Sequence, residues 1–232
     1  MFWYLRFGMM ALRRAAIYGG TFDPVHNGHL EVARRVLELF ELDEVLFVPA
    51  CVPPHKVGIS SAFHRFAMLA LATEPEPQLR LSTIELDEPN RPYAVDTVER
   101  MQSEMGSTYR LFFMIGADSW SEITTWHEWQ RLLKMCDLIV VTRPGYELGN
   151  VPPGVANVVD VRGMSQPEIS KLLGRKSGPR VFLTDAAMVD VSASRIRAAV
   201  QSKGQSSDWT TLKEMVPAPV ASYIERHELY RN

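Results

Sequence analysis

Cysteine is scarce in this sequence. Its 232 residues include two, Cys51 and Cys136, far apart and in neither metal-binding nor redox spacing. No disulfide framework is implied, and a reducing cytoplasm is the expected setting. An excess of one charge is also lacking: 25 Lys and Arg against 27 Asp and Glu leave a net charge of −2. That balance argues against a broad polyanion-binding surface and so against a nucleic-acid partner, while leaving room for a local basic pocket for one nucleotide. Long apolar runs are missing too. The aromatic opening from Met1 to Met10 is too short to span a bilayer. Arg13 and Arg14 follow that run rather than precede it, unlike a signal peptide. We therefore expect no membrane partner, a dispensable leader over residues 1–14 and a domain over residues 15–232. No internal repeat and no low-complexity tract occurs. At 46% hydrophobic and 22% charged residues, the remainder has ordinary globular composition and enough length for a sizeable core.

One stretch organises the rest: Tyr18-Gly19-Gly20-Thr21-Phe22-Asp23-Pro24-Val25-His26-Asn27-Gly28-His29-Leu30. It starts where the apolar run Ala15 to Tyr18 stops and passes directly into an amphipathic segment. Strand, glycine turn and helix in that order present backbone N–H groups to a phosphate. Gly19 and Gly20 lack a Cβ, which lets a ligand approach and allows positive φ. His26 and His29, about one helical turn apart, can direct both rings the same way. They form either a donor cluster for an anion or a metal pair, although no second ligand cluster of matching spacing is evident. No Gly-Lys-Ser/Thr follows the glycines, which excludes the Walker loop.

Apolar residues at helical spacing predict a helix from Asn27 to Phe40, and Glu44 to Pro49 reads as a strand covered on both faces. This is a βαβ unit of a parallel sheet. The loop after Pro49 carries Lys56 at the ligand edge of the sheet. A helix over Ser61–Thr73, an alternating strand over Leu79–Leu86 and a helix opening at Tyr93-Ala94 follow. Arg110–Gly116, the most apolar strand, is expected to be central. Asp118, just beyond Gly116, is either a helix N-cap or an acceptor for ribose hydroxyls. Trp120, Trp126 and Trp129 either pack a core or stack on a ligand ring. Strands are predicted at Cys136–Thr142, with Arg143 at its ligand end, at Val158–Val161 and at Arg180–Leu183. Residues 162–180 read as a variable insertion. Ser192 or Ser194 caps a helix whose first turns carry Arg195 and Arg197, an odd place for cations unless an anion is shared. Pro217 to Tyr230 is helical. The pattern gives an α/β fold, a doubly wound, mostly parallel, Rossmann-like sheet with a helical C-terminal end.

The string Gly-Gly-Thr-Phe-Asp-Pro-x-His-x-Gly-His resembles the signature of the nucleotidyltransferase superfamily whose His-x-Gly-His motif binds the triphosphate of ATP or CTP. Within it, the chain is similar to the bacterial-type nicotinate-nucleotide adenylyltransferases from about Ala15 to its end. The resemblance covers Pro-His-Lys at Lys56, Gly-x-Asp-Ser at Asp118 and Thr-Trp-x-Glu-Trp at Trp126. It also covers [Ile/Val]-Ser-[Ser/Ala]-[Thr/Ser]-x-Ile-Arg at Arg197. It implies a catalytic set of His26, His29, Lys56 and Arg197, with ATP contacts from Gly19, Gly20, Thr21, Phe22, Gly28, Gly116, Asp118, Arg143, Ser192 and Ser194. Tyr93, Ala94 and Trp126 would hold the nicotinate nucleotide, with Trp126 stacking on its ring. The family commonly has Ser-Tyr-Thr where this chain has Pro-Tyr-Ala, so a backbone contact at Ala94 survives and a hydroxyl contact does not.

The implied reaction joins ATP and nicotinate mononucleotide into nicotinate adenine dinucleotide and pyrophosphate, with Mg²⁺ carried in on ATP and no metal site of the protein's own. The rival readings are transfer to pantetheine phosphate or glycerol phosphate, a non-catalytic nucleotide sensor, and a zinc hydrolase using the two histidines. The Trp126 element speaks against the first. The cytidylyltransferase string Arg-Thr-x-Gly-Ile-Ser-Thr-Thr, which the second would carry, is missing here.

Overall fold

The computed structural model describes residues 12–52, 58–88, 93–142, 151, 152, 154, 155, 157–175, 178–186, 191–201 and 208–231. Among these residues, seven strands form one sheet: β1 (Arg13–Gly20), β2 (Glu44–Pro49), β3 (Leu79–Leu81), β4 (Tyr109–Gly116), β5 (Asp137–Val141), β6 (Val158–Asp160) and β7 (Val181–Thr184). Their spatial order is β3-β2-β1-β4-β5-β7-β6, and every pairing is parallel. The first three strands run outward from β1 in one direction, and β4 starts again on its other side. The order therefore reverses between β1 and β4, and the crevice at the carboxyl ends of those strands is where such sheets bind ligands.

Helices α1 (Asn27–Leu39), α2 (Ala62–Thr73), α6 (Gln166–Leu173), α7 (Ala193–Gln201), α8 (Asp208–Met215) and α9 (Ala218–Arg226) cover one face. The other face carries α3 (Ala94–Met105), α4 (Ala117–Ser121) and α5 (Trp129–Met135). Strand alternation makes two cores. Ala16, Phe47, Phe112, Met114 and Phe182 point to the first, and Ala15, Ile17, Leu46, Phe113 and Leu138 to the second. Burial in that second core pushes the Cys136 thiol up to about 12, which makes it a small apolar side chain rather than a reactive one. Among the described residues, no helix is long and apolar enough to cross a membrane.

Several expectations need correction. The strand over Leu79–Leu86 stops at Leu81, and Thr83 to Asp87 turn, with Leu86 and Asp87 N–H both donating to Thr83 O. The ladder alternates, from Val45 N–H to Gln78 O and from Ser82 N–H to Phe47 O. Its next donor would be residue 49, a proline without an N–H. The supposed insertion contains α6, begun by a capping box in which Glu168 accepts from Ser165 N–H at 2.8 Å. β1 takes in Arg13 and Arg14 from the expected leader, because their backbones pair with Tyr109 and Arg110. Of the rest of that leader, Leu12 is described and exposed, and residues 1–11 lie outside the described residues.

Candidate active site

The carboxyl end of β1 opens into the loop Thr21–Val25 and then α1. Gly19 and Gly20 are extended, so neither uses positive φ; the left-handed residue here is Phe22, at φ 50°. Gly20 lacks room for a side chain, since a Cβ would lie 2.8 Å from the Phe22 ring. That ring is buried, edge-on to Tyr18 and His29 and tilted against Phe47. Phe22 therefore shapes the loop from beneath. Gly28 is buried in the first turn of α1. His26 is the N-cap of α1 and is buried, and its ring stacks on that of His29 with centroids 3.6 Å apart. His29 Nδ1 accepts from the His26 backbone N–H at 3.3 Å. In the neutral ring the proton then sits on Nε2, a tautomer assigned from this bond.

Facing this loop is the start of α7. Ser192 caps it, its Oγ accepting from Arg195 N–H at 3.3 Å. Ser194 lies within the first turn, so the cap expected at either serine belongs to Ser192. Arg197 reaches across to donate to Asp23 O at 2.7 Å and to Ser194 Oγ at 3.3 Å. Thr21, Phe22, Asp23, His29, Gly58, Ile59, Ala193, Ser194 and Arg197 enclose a cavity of about 300 Å³. Five residues expected at a phosphate site thus meet there: Thr21, Phe22, His29, Ser194 and Arg197. A helix N-terminus, an imidazole and a guanidinium around one cavity suit a multiply charged anion.

The second half of the crevice lies past β4. Gly116 borders open space, where a Cβ would meet nothing within 4 Å. It is also the N-cap of α4, which corrects the N-cap reading of Asp118. Asp118 falls inside the first turn and is exposed, where the helix dipole favours its charge. Trp120 is core, whereas Trp126 is half-buried and meets Phe113 edge-on at 6.3 Å. Tyr93, 48% exposed, stacks on His127 with centroids 4.2 Å apart. Asp96 accepts from Tyr93 N–H at 3.2 Å, which leaves the end of α3 to present the N–H groups of Ala94 and Val95. Lys56 and Arg143 lie outside the described residues. Among the described residues, no three His, Cys, Asp or Glu side chains form a group able to hold a metal ion.

Three residues support the loop: Asp23, which the motif contains without a role of its own, and Arg65 and Tyr230, to which sequence reasoning gave no role at the site. Arg65, on α2, is wholly buried and donates to Thr21 O, Ala50 O, Cys51 O and Ser60 O at 2.7–3.1 Å. Burial pulls its pKa down. Asp23 is 2% exposed and accepts from Ser60 N–H at 3.1 Å and from Tyr230 O–H at 2.6 Å. Burial and the Asp23 charge hold the Tyr230 hydroxyl far above the usual tyrosine value, so it remains a donor. An arginine at a core position of the α2 helical pattern was the available signal for Arg65.

The fold and the cavity define a class, and residues 17–199 match the cytidylyltransferase-like family model. The "Probable nicotinate-nucleotide adenylyltransferase" of Citrifermentans bemidjiense is 35% identical over 219 residues, covering 94% of this chain and 98% of that protein. The protein of the same name from Thermus thermophilus is 36% identical over 219 residues, covering 94% and 100%. The chain belongs to the nicotinate-nucleotide adenylyltransferase family. The fold is shared with the Plasmodium falciparum nicotinic acid mononucleotide adenylyltransferase solved with NaAD, at a TM-score of 0.70 and 18% identity over 94% of this chain and 97% of that one.

Proposed function

We propose that this enzyme transfers the adenylyl group of ATP to nicotinate mononucleotide, releasing pyrophosphate and forming nicotinate adenine dinucleotide, a step of NAD biosynthesis, in the cytoplasm. The observation that carries this reading is His29 and Arg197 facing one cavity at the carboxyl end of β1, which pairs with the central strand β4. The 5′-phosphate of the mononucleotide is ionised at neutral pH and attacks the α-phosphorus of ATP without a general base. Catalysis then rests on alignment and on neutralising charge at the departing pyrophosphate. His29 Nε2–H and the Arg197 guanidinium supply that, with His26, Lys56 and Arg143 as further members of the triphosphate site. Thr21, Ser192, Ser194 and the Gly19-Gly20 and Gly28 backbone line the path of the phosphates, and Gly116 and Asp118 take the adenosine side.

Magnesium, bound to the ATP phosphates, supplies charge neutralisation. Asp23 is the carboxylate in the cavity wall, and both of its oxygens already accept hydrogen bonds, so the donor set suits an ion held by nucleotide oxygens and water. For the acceptor, the N-terminal end of α3 favours an anion through the Ala94 and Val95 N–H groups. Trp126 offers an indole to the charged pyridine ring, and Tyr93 stacks on the adjacent His127. This arrangement favours the acid over the amide.

The test is pyrophosphate release from ATP and Mg²⁺ with four acceptors in parallel: nicotinate mononucleotide, nicotinamide mononucleotide, phosphopantetheine and glycerol 3-phosphate. Nicotinate mononucleotide should give the highest kcat/KM. Equal values for acid and amide would overturn the role of the α3 turn, and release with another acceptor alone would overturn the assignment.

A further inference from the structure

Arg65 is difficult to explain as packing. A guanidinium inside a fold loses its hydration, and an apolar side chain of similar size commonly serves stability as well or better. Its partners among the described residues are carbonyl oxygens: Thr21 O at 2.9 Å, Ala50 O at 2.7 Å, and Cys51 O and Ser60 O at 3.1 Å. These belong to three separate segments: the loop after β1, the loop after β2, and the entry to α2. The same β1 loop is held at Asp23. Tyr230 O–H donates to one carboxylate oxygen at 2.6 Å and Ser60 N–H to the other at 3.1 Å. Arg197 NH1 donates to the Asp23 carbonyl at 2.7 Å. Thr21 and Asp23 line the phosphate cavity, so both ends of its floor are pinned from behind.

We propose that Arg65, Asp23 and Tyr230 form a clamp that positions the β1 loop, and through it the His26–His29 turn, for adenylyl transfer. They are positioning residues, acting through the histidines rather than on substrate. The proposal rests on the adenylyl-transfer reading above. Its physical basis is that a reacting group displaced by about 1 Å can lose on the order of 10²-fold in rate. The loop itself has a left-handed residue at Phe22 and no regular ladder to fix it.

Tyr230→Phe keeps the ring and removes the donor to Asp23 together with the hydroxyl's contact to the Ser60 side chain, so it is the variant expected to fold. Arg65→Lys keeps the charge and loses the fork that reaches three segments at once. Tyr230→Phe should lower kcat/KM for ATP by about 10- to 100-fold, with the melting temperature within a few degrees of wild type and KM for nicotinate mononucleotide unchanged. Arg65→Lys should lose more. In a His29→Ala background the Tyr230→Phe change should cost less than about threefold, because positions acting as one unit are not additive. Affinity for a non-hydrolysable ATP analogue, read by calorimetry, should fall about tenfold in Tyr230→Phe. Unchanged kcat/KM and analogue affinity, or an equal fold-loss with and without His29, would overturn the clamp. If the acceptor assignment is at fault instead, wild type itself releases no pyrophosphate with nicotinate mononucleotide, while the analogue titration still reads the clamp.

Discussion

In the proposed reaction, His29 concentrates the chemistry of the site in a single proton. Its Nδ1 is committed to the His26 backbone N–H, which fixes ring orientation and tautomer together. The Phe22 and His26 rings on either side hold the imidazole in place. His29→Ala should therefore reduce kcat by about 10²–10³-fold, the usual loss for one pre-placed donor, with the melting curve little changed. Activity within a few-fold of wild type would make His29 structural. His26 is a different residue physically: it is buried beneath its partner and caps the helix. Two histidines that look alike in the motif thus differ in placement: His29 lines the cavity, and His26 adds to the proposed triphosphate site from a buried position that also caps the turn.

At the level of elements, most of the architecture was legible because its signals are local. The βαβ opening and the buried run of β4 each declare themselves within a few residues, whereas the sequence left the cap of α7 open between Ser192 and Ser194. β3 was overestimated because its end is set by Pro49, a residue on the neighbouring strand. α6 was missed although Ser165 and Glu168 form a readable capping box, since the glycines around it suggested a loop. Thr21, His29, Ser194 and Arg197, which the motifs singled out, line one cavity, whereas the contacts of Arg65 and Tyr230 are ones that only the fold creates. Glu85 is of the same kind. It joins the Thr83–Leu86 turn to α3 by accepting from Thr97 O–H at 2.8 Å, and it also bonds the Cys51 backbone. Burial is the main influence and raises its pKa above the ordinary 4.5. Between those two values the folded state holds more protons than the unfolded state, so stability falls as pH rises through the window. Glu85→Gln removes that slope. Its melting temperature relative to wild type should climb from pH 4.5 toward neutrality, and a constant difference across that range would refute the shift.

On the scale of the molecule, the two ends of the sheet have different tasks. The carboxyl end holds the cavity, and the opposite end is locked by charge. Asp137 accepts from Arg110 at 2.8 and 2.6 Å and from Arg180 N–H at 2.9 Å, while the same two arginines donate to the Leu173 and Leu172 carbonyls at the end of α6. Asp137→Ala would strand a largely buried pair of guanidiniums. It should cost about 3–5 kcal/mol in urea unfolding, with KM values of the remaining folded enzyme unaltered; a loss below about 1 kcal/mol would show the pair to be dispensable. The hydrogen bond from Tyr230 to Asp23 joins residues 207 apart. During synthesis at about 5–20 residues per second, roughly 10–40 s separate the two on the ribosome. A nascent chain can lay down its early strands in that interval, but its β1 loop still lacks both Arg197 and Tyr230. On the proposed assignment of the site, translation order makes nucleotide binding one of the last properties a newly made molecule acquires, and a chain broken off before α9 would carry the motif without its support.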